Sequence, residues 1–221
     1  MYNINIPKID VDVLFLGGGA IFSTTKFIND INSITANINA KHIIVWGAGF
    51  NPALNENIRA KYDLVGIRDW GVPRYQWVPC PSVLHPSLLT NIDRTPTKDF
   101  LIVDHWKRPI DFDGDCTRIN NKPNNIQNII SLIADHRYVL TSSYHAAYWA
   151  TLLKKKTFVI GDSMPEKFYT MKHKPLFASK FEHKLIDQAI IHDDAYNDCM
   201  LATNEFKSQV EYVTNIPFAF L

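Results

Sequence analysis

The residues best suited to chemistry form the stretch Thr141-Ser142-Ser143-Tyr144-His145. The apolar run Ala146 to Leu153 follows it and predicts a helix. A hydroxyl at the start of a helix caps it, and the positive end of the helix dipole attracts an anion such as phosphate. An anion bound there favours the protonated imidazole of His145, which suits a general acid. We therefore predict that His145 is catalytic and that Ser142, Ser143 and Tyr144 bind a donor substrate.

A simpler interpretation of this stretch stays open, in which a serine caps the helix and the histidine is half-buried. A serine hydrolase is not indicated, because no Gly-x-Ser-x-Gly sequence surrounds Ser142 or Ser143.

Glycine-rich loops follow two other predicted strands. Gly17, Gly18 and Gly19 follow the first strand, and Gly47, Gly49 and Asn51 follow the second. Glycines let backbone N–H groups approach an anionic ligand, although a triple glycine equally suits a tight turn. Because the carboxyl ends of parallel strands share one edge of a sheet, we predict that both loops line one cleft.

Charged side chains follow two further strands. Arg68 and Asp69 come directly after the third predicted strand, where a guanidinium suits a carboxylate or a phosphate. An Arg68–Asp69 ion pair or a plain surface charge is the alternative. Lys167 lies after the last predicted strand and is a further candidate for donor binding. Asp69 and Asp104 are the candidates for a general base. Arg68 and Asp69 are predicted to be catalytic together with His145.

No metal site is predicted. The sequence Asp111-Phe112-Asp113-Gly114-Asp115 has its glycine at the fourth place of a calcium loop and Lys122 at the twelfth, where Glu is required. Lys107-Arg108-Pro109 precedes it where a metal-dependent glycosyltransferase has an apolar strand. We interpret the stretch as a solvated acidic turn.

Short β-branched runs alternate with helical patterns along most of the chain, which predicts an α/β fold with parallel strands. The predicted strands are Val11–Leu16, His42–Trp46, Leu64–Ile67, Asp99–Val103, Tyr138–Thr141 and Thr157–Ile160. The predicted helices are Ser23–Asn37, Pro52–Lys61, Asn125–Asp135 and Tyr144–Leu153, followed by an amphipathic helix in the tail after His192.

A boundary near residue 95 is predicted from the proline-rich segment between Gly71 and Pro96. It divides the chain into an N-terminal half, residues 1–95, and a C-terminal half, residues 96–221, that includes the tail helix.

Composition narrows the class of protein. The 221 residues are 46% hydrophobic, which is enough for a core, and 23 basic against 22 acidic residues give a net charge of +1. We therefore expect no nucleic-acid partner. The sequence has no apolar run of about 20 residues, so no transmembrane segment is predicted. Three cysteines without a Cys-x-x-Cys pair favour a cytoplasmic protein.

The order and spacing of these motifs resemble the polysaccharide pyruvyl transferase family over roughly residues 10 to 210. The matching stretches are Leu16-Gly17-Gly18-Gly19, Trp46-Gly47-Ala48-Gly49, Gly66-Ile67-Arg68-Asp69 and Ser142-Ser143-Tyr144-His145-Ala146. The ExoV-like branch is most similar, on the segments around Trp77 to His85, Asp104-His105-Trp106-Lys107 and Glu166-Lys167-Phe168-Tyr169. His85 and His105 are thereby added to the predicted cleft loops.

The resemblance implies two Rossmann-like halves facing a cleft, similar to GT-B glycosyltransferases, with the acceptor on the N-terminal half and the donor on the C-terminal half. It implies transfer of a pyruvyl group from phosphoenolpyruvate to a sugar of a surface glycan or its precursor. The product is a pyruvate ketal, phosphate is released, and no cofactor is needed. Arg68 and His145 match the donor-site Arg and His of the family. A homo-oligomer is possible.

Two departures from the family pattern bear on activity. Tyr144 stands where many members have an arginine, and only nine residues precede the first predicted strand, so the N-terminal half looks trimmed. Two alternatives therefore stay open: a GT-B-type glycosyltransferase that uses a nucleotide sugar, and an inactive sugar-binding relative.

Overall fold

The computed structural model describes residues 8–22, 24–51, 61–122, 125–163 and 165–218. Two compact units divide the chain, one within residues 1–81 and 201–221 and the other within residues 82–200. The change of unit lies at Pro81–Ser82, whereas the sequence predicted a boundary near residue 95. The tail returns to the first unit because Phe206 and Val210 pack in its core.

The first unit contains a four-stranded parallel sheet in the order β1-β2-β3-β4. Its strands are β1 (Ile9–Gly17), β2 (Ile38–Ala48), β3 (Leu64–Ile67) and β4 (Gln76–Trp77). Helix α1 (Thr25–Thr35) connects β1 to β2. The Thr24 hydroxyl caps this helix by accepting a hydrogen bond from the Phe27 amide at 3.3 Å.

Successive side chains of β2 alternate between two apolar clusters, as the pleat of a strand requires. Val45 belongs to the cluster that Ile28 and Ile31 of α1 pack against. Ile44 and Trp46 belong to the other cluster, which they share with side chains of the last helix, α5 (Ala195–Thr214). The sheet is therefore covered on both faces.

The second unit contains a five-stranded parallel sheet in the order β6-β5-β7-β8-β9. Its strands are β5 (Lys98–Asp104), β6 (Thr117–Asn120), β7 (His136–Thr141), β8 (Lys156–Ile160) and β9 (Leu176–Ala178). Its helices are α2 (Pro86–Asn91), α3 (Ile126–Asp135) and α4 (Tyr144–Leu152).

Helices α3 and α4 contact each other and the strand β7. A third apolar cluster, built on Ile102, Leu140 and Phe158, is covered by Ile110 of the loop after β5 and by Phe181 of the segment after β9. This sheet is thus packed by helices and by irregular chain.

The predicted α/β class with parallel strands is confirmed, and all six predicted strands are present. Strands β4 and β9 escaped prediction because they have only two and three residues, too few to show a period. Strand β6 is as long as β3 but has the sequence Thr117-Arg118-Ile119-Asn120, which lacks the apolar run of β3. The predicted helix Pro52–Lys61 lies, except for Lys61, outside the described residues. Within the described ranges, no helix has the length and apolar character needed to cross a membrane.

Candidate active site

The strand order of the second sheet creates a switch point between β5 and β7. The chain passes from β5 to β6 on one side and then returns to β7 on the other side of β5. Open α/β sheets bind ligands outside the carboxyl ends of the strands at such a point. The residues that follow these two strands are His105 after β5 and Ser142 to His145 after β7.

A cavity of about 250 Å³ opens beside this point. Its polar lining is Asn121, Lys122, Ser143 and His145, and its apolar lining is Val103, Ile126, Ile129, Ala146 and Trp149. The His145 side chain is exposed, and its ring stacks on the Trp149 indole with 5.6 Å between ring centroids. His145 is thus both oriented and accessible to a small ligand.

Ser143 occupies the N-cap position of α4, but its hydroxyl does not cap the helix. The hydroxyl accepts a hydrogen bond from the Asn121 side-chain amide at 3.2 Å, and the Ser143 amide donates to the Thr141 hydroxyl at 2.9 Å. The hydroxyl cap expected at this serine is therefore wrong. The reason is that β6 ends beside it and presents Asn121 as a partner.

Ser142 is buried, with 1% of its surface exposed. Its hydroxyl donates to the Arg108 carbonyl at 2.5 Å and accepts from the His105 amide at 2.9 Å. The Ser142 hydroxyl therefore fastens the loop after β5 to the end of β7.

Positive charge gathers around His105. Burial is the largest cause that lowers the pKa of the His105 imidazole. The positive charges of Arg108, Lys167 and Lys107 lower that pKa further, in that order. The lowered pKa favours the neutral imidazole of His105, and cationic side chains from the loop after β5 and from the segment after β8 each lie within electrostatic range of its ring.

Lys167 is positioned by aromatic rings. Its ammonium lies 5.5 Å from the centroid of the Tyr144 ring and 5.8 Å from that of the Phe168 ring, distances at which a cation is attracted to a ring. Tyr144 is buried and packs edge-on against Phe168. Tyr144, which directly precedes His145, thus contacts the ammonium of Lys167.

Asp104, one of the two candidate bases, supports the loop after β5. Its carboxylate accepts hydrogen bonds from the Ile110 amide at 2.7 Å and from the Arg118 guanidinium at 3.2 Å. The same guanidinium donates to the Ile110 carbonyl at 2.8 Å. These contacts give Asp104 a structural role at the end of β5.

The glycine-rich loops of the first unit lie against each other. The Gly49 amide donates to the Gly19 carbonyl at 2.9 Å, and the Gly49 carbonyl accepts from Phe22 at 3.0 Å. Gly47 has a φ of +61°, and a Cβ there would lie 2.7 Å from the Pro79 carbonyl oxygen, so this position requires glycine. Gly17 ends β1 opposite Trp46, and the Trp46 carbonyl accepts a hydrogen bond from the amide of the next residue, Gly18, at 3.4 Å.

Arg68 is buried at the carboxyl edge of the first sheet, with 6% of its surface exposed. Its amide donates to the Ala48 carbonyl at 3.0 Å, and its carbonyl accepts from the Trp77 indole at 3.1 Å. The guanidinium packs against Gly49, since a Cβ built there would lie 2.5 Å from its Nη2 atom. The structure thus brings the predicted Arg68 together with the predicted glycine loops.

Asp69, the other candidate base, is buried beside the same loop. Its carboxylate accepts a hydrogen bond from the Phe50 amide at 2.7 Å, and the neighbouring Asn51 amide donates to the Phe22 carbonyl at 3.0 Å. This contact gives the Asp69 carboxylate a role in shaping the loop after β2.

His85 is the N-cap of α2, where its Nδ1 atom accepts a hydrogen bond from the Ser87 amide at 3.3 Å. Sequence reasoning missed Arg108, Asn121 and Lys122. Asn121 and Lys122 follow β6, and no strand was predicted there. Arg108 was passed over because it precedes the acidic turn, whose aspartates are exposed. Within the described part of the chain, no three His, Cys, Asp or Glu side chains form a group that could hold a metal ion.

Residues of both units match a known protein family. The model of the family described as polysaccharide pyruvyl transferase matches residues 1–163 of the 221. The matched range contains strands β1 to β8 and His145, and it ends before Lys167. No curated protein and no solved structure matches the chain. Because the family model covers well over half of the sequence, this chain belongs to the polysaccharide pyruvyl transferase family.

Proposed function

We propose that the protein transfers a pyruvyl group from phosphoenolpyruvate to a sugar of a polysaccharide or of its precursor, forming a pyruvate ketal. The observation that carries this proposal is the accessible His145 at the switch point of the second sheet, in a cavity that Lys122 also lines. The family match supports the reaction class. No cofactor is required by this chemistry.

The reaction balances without a further reagent. A general acid donates a proton to the methylene carbon of phosphoenolpyruvate, and a sugar hydroxyl adds to the adjacent carbon and loses its proton. The bond from that carbon to the phosphate oxygen then breaks, and phosphate leaves with the electron pair. A second hydroxyl of the same sugar adds and loses its proton. One proton is used on carbon, and the other stays with the phosphate.

His145 is the proposed general acid, because it is accessible and held by Trp149 at the mouth of the cavity. Lys167 and the backbone N–H groups at the start of α4 are proposed to stabilise the negative charge on the departing phosphate. Asn121 and Lys122 line the cavity and can donate hydrogen bonds to the donor carboxylate.

Arg68 is a proposed ligand for an anionic substrate group at the edge of the first sheet. Its packing against Gly49 supports this role, because the guanidinium is held in one place before any ligand binds. Assignment to the ExoV-like branch and a GT-B-like arrangement of the two halves stay predictions.

Thermal unfolding of the full chain tests the donor. Phosphoenolpyruvate at about 100 times its dissociation constant adds about 2.7 kcal/mol to the free energy of unfolding. We expect stabilisation by phosphoenolpyruvate and none by a panel of nucleotide sugars. Stabilisation by a nucleotide sugar alone would identify a glycosyltransferase instead, and stabilisation by neither, with binding of the acceptor glycan, would identify an inactive sugar-binding relative.

A further inference from the structure

The Ser142 hydroxyl is fully used within the protein. It donates one hydrogen bond, to the Arg108 carbonyl at 2.5 Å, and it accepts one, from the His105 amide at 2.9 Å. A serine hydroxyl has a single hydrogen to donate, and this side chain is buried. Ser142 therefore has no donor left for a substrate, although its place in the sequence predicts contact with one.

The Ser142 hydroxyl fixes a tight turn that follows β5. The Arg108 amide donates to the His105 carbonyl at 2.7 Å, which closes the turn from His105 to Arg108. Both ends of this turn bond to Ser142. The turn is therefore fixed relative to the end of β7.

Arg108 is the cation that this turn places beside the end of β7. Its guanidinium donates to the Ser142 carbonyl at 3.4 Å, a single long bond that leaves most of its five N–H donors for other partners. The side chain is half-buried, and none of the ion pairs of the described residues includes Arg108. An arginine in that position has the geometry to bind a phosphate with two parallel hydrogen bonds.

Lys167 makes an anion more favourable there. The positive charges of Arg108 and Lys167 come from separate segments, and each lowers the pKa of the His105 imidazole, so both lie within electrostatic range of that ring. A dianion bound beside this turn would be attracted by both charges. The carboxylate of Asp104, which directly precedes this turn, accepts hydrogen bonds from the Arg118 guanidinium and the Ile110 amide.

We propose that Arg108 binds the phosphate of the donor substrate and that Ser142 is a positioning residue that acts through Arg108. This inference rests on the proposed function, because it takes phosphoenolpyruvate as the donor. It assigns phosphate recognition to the turn after β5, which sequence reasoning did not include in the site.

Calorimetric titration of the full chain with phosphoenolpyruvate, and separately with pyruvate, tests this. We expect Arg108→Ala to weaken phosphoenolpyruvate binding by about tenfold to a hundredfold, the usual range for a lost charged hydrogen bond. Binding of pyruvate, which lacks the phosphate, should change by less than about threefold. Arg108→Lys keeps the charge but not the paired donors, so we expect an intermediate affinity. Added guanidinium ion should restore part of the affinity of Arg108→Ala and leave the wild type unchanged.

A double-mutant comparison tests the role of Ser142. If Ser142 acts through Arg108, Ser142→Ala weakens phosphoenolpyruvate binding in the wild type but changes nothing further in Arg108→Ala. Ser142→Thr, which keeps the hydroxyl, should retain the wild-type affinity and serves if Ser142→Ala fails to fold. Arg137→Ala is the matched control, because it removes one arginine from the amino end of β7, where Arg137 pairs with Asp99 at 2.6 Å.

Two failures are distinguishable. A wild-type chain that does not bind phosphoenolpyruvate contradicts the proposed function and this inference with it. A wild-type chain that binds phosphoenolpyruvate, with equal affinity in Arg108→Ala, contradicts only the role of Arg108. Additive losses in the double variant contradict the positioning role of Ser142.

Discussion

At the carboxyl edge of the first sheet, the Arg68 guanidinium fills the space that a side chain at Gly49 would occupy. A Cβ atom at position 49 would lie 2.5 Å from the Nη2 atom of Arg68 and 2.9 Å from its Cζ atom. The lack of a side chain at Gly49 is therefore what lets the guanidinium lie against the glycine loops. Both residues were singled out from the sequence, and the structure gives the reason that they belong together.

A double-mutant cycle at these positions tests that relationship. Gly49→Ala should lower the free energy of unfolding by about 1–3 kcal/mol, the usual cost of overpacking. In the background of Arg68→Ala the same substitution should cost less, because the group that it meets is gone. The remaining cost reflects the Gly19 carbonyl, 2.9 Å from the added Cβ. Urea unfolding of the four variants gives the coupling energy, and strictly additive losses would show that the two groups do not share the space.

His145→Gln tests the proposed general acid. Loss of a general acid lowers the rate of the chemical step by about 10²–10⁴-fold. Because the side chain is exposed, we expect the free energy of unfolding to change by less than about 0.5 kcal/mol. Phosphate release from phosphoenolpyruvate in the presence of acceptor is the measurement, and His183→Gln, another exposed histidine of the same unit, is the control. A variant His145→Gln that keeps the wild-type rate excludes His145 as the acid.

Asp69→Asn distinguishes between two roles of Asp69, that of a general base and that of a structural hydrogen-bond acceptor. The Asp69 carboxylate accepts a hydrogen bond from the Phe50 amide at 2.7 Å, and an asparagine oxygen can accept the same bond. We expect Asp69→Asn to keep the rate of pyruvyl transfer within about threefold, because the hydrogen bond that shapes the loop is kept and the Asp69 carboxylate serves as its acceptor rather than as a base. Asp69→Ala should cost about 1–3 kcal/mol of stability, because a buried amide loses its partner. A loss of a hundredfold or more in Asp69→Asn, with normal stability, would make Asp69 the base.

His136 should make the second unit sensitive to acid. The ring is fully buried, its Nδ1 atom lies 2.6 Å from the Leu132 carbonyl, and its Nε2 atom lies 3.0 Å from the Thr117 hydroxyl. A carbonyl only accepts, so Nδ1 carries the hydrogen, and a neutral ring accepts from Thr117 at Nε2. Burial lowers the pKa of His136, which outweighs the opposite effect of the Leu132 carbonyl on that pKa.

The direction of the pH effect follows from this shift. Below the ordinary histidine pKa of about 6.5, the unfolded chain binds a proton that the folded chain does not. Stability is therefore complete above that pH and falls as the pH drops toward the lowered pKa of the folded state. Urea unfolding between pH 5 and pH 8 should show a smaller decrease in His136→Gln than in the wild type. Equal decreases in the free energy of unfolding of the two proteins would mean that protonation of His136 does not destabilise the folded state.

The parts of the fold that sequence could predict are those with a long enough pattern. The β-branched runs before Gly17, Trp46 and Ser142 predicted strands whose carboxyl ends carry the candidate residues, and those strands are present. The short strand β6 carries no comparable run, so Asn121 and Lys122 could not be placed beside Ser143.

The hydrogen-bond partners of individual polar groups could not be predicted from the sequence. Ser142 and Ser143 stand where helix caps and ligands stand, yet their hydroxyls bond to Arg108, His105 and Asn121. These partners are distant along the chain and meet only through the strand order. The assignment of the tail to the first unit has the same origin, because Phe206 packs with Trp46 from the far end of the sequence.

The most direct test of pyruvyl transfer is the product itself. The purified full chain is incubated with phosphoenolpyruvate labelled with ¹³C at its methylene carbon and with an acceptor polysaccharide, and the glycan is examined by nuclear magnetic resonance. We expect a labelled methyl group on a ketal carbon bonded to two sugar oxygens, with one phosphate released for each ketal formed and neither signal in His145→Gln. A glycan without labelled ketal, under conditions in which the wild type binds phosphoenolpyruvate, would contradict the proposed reaction.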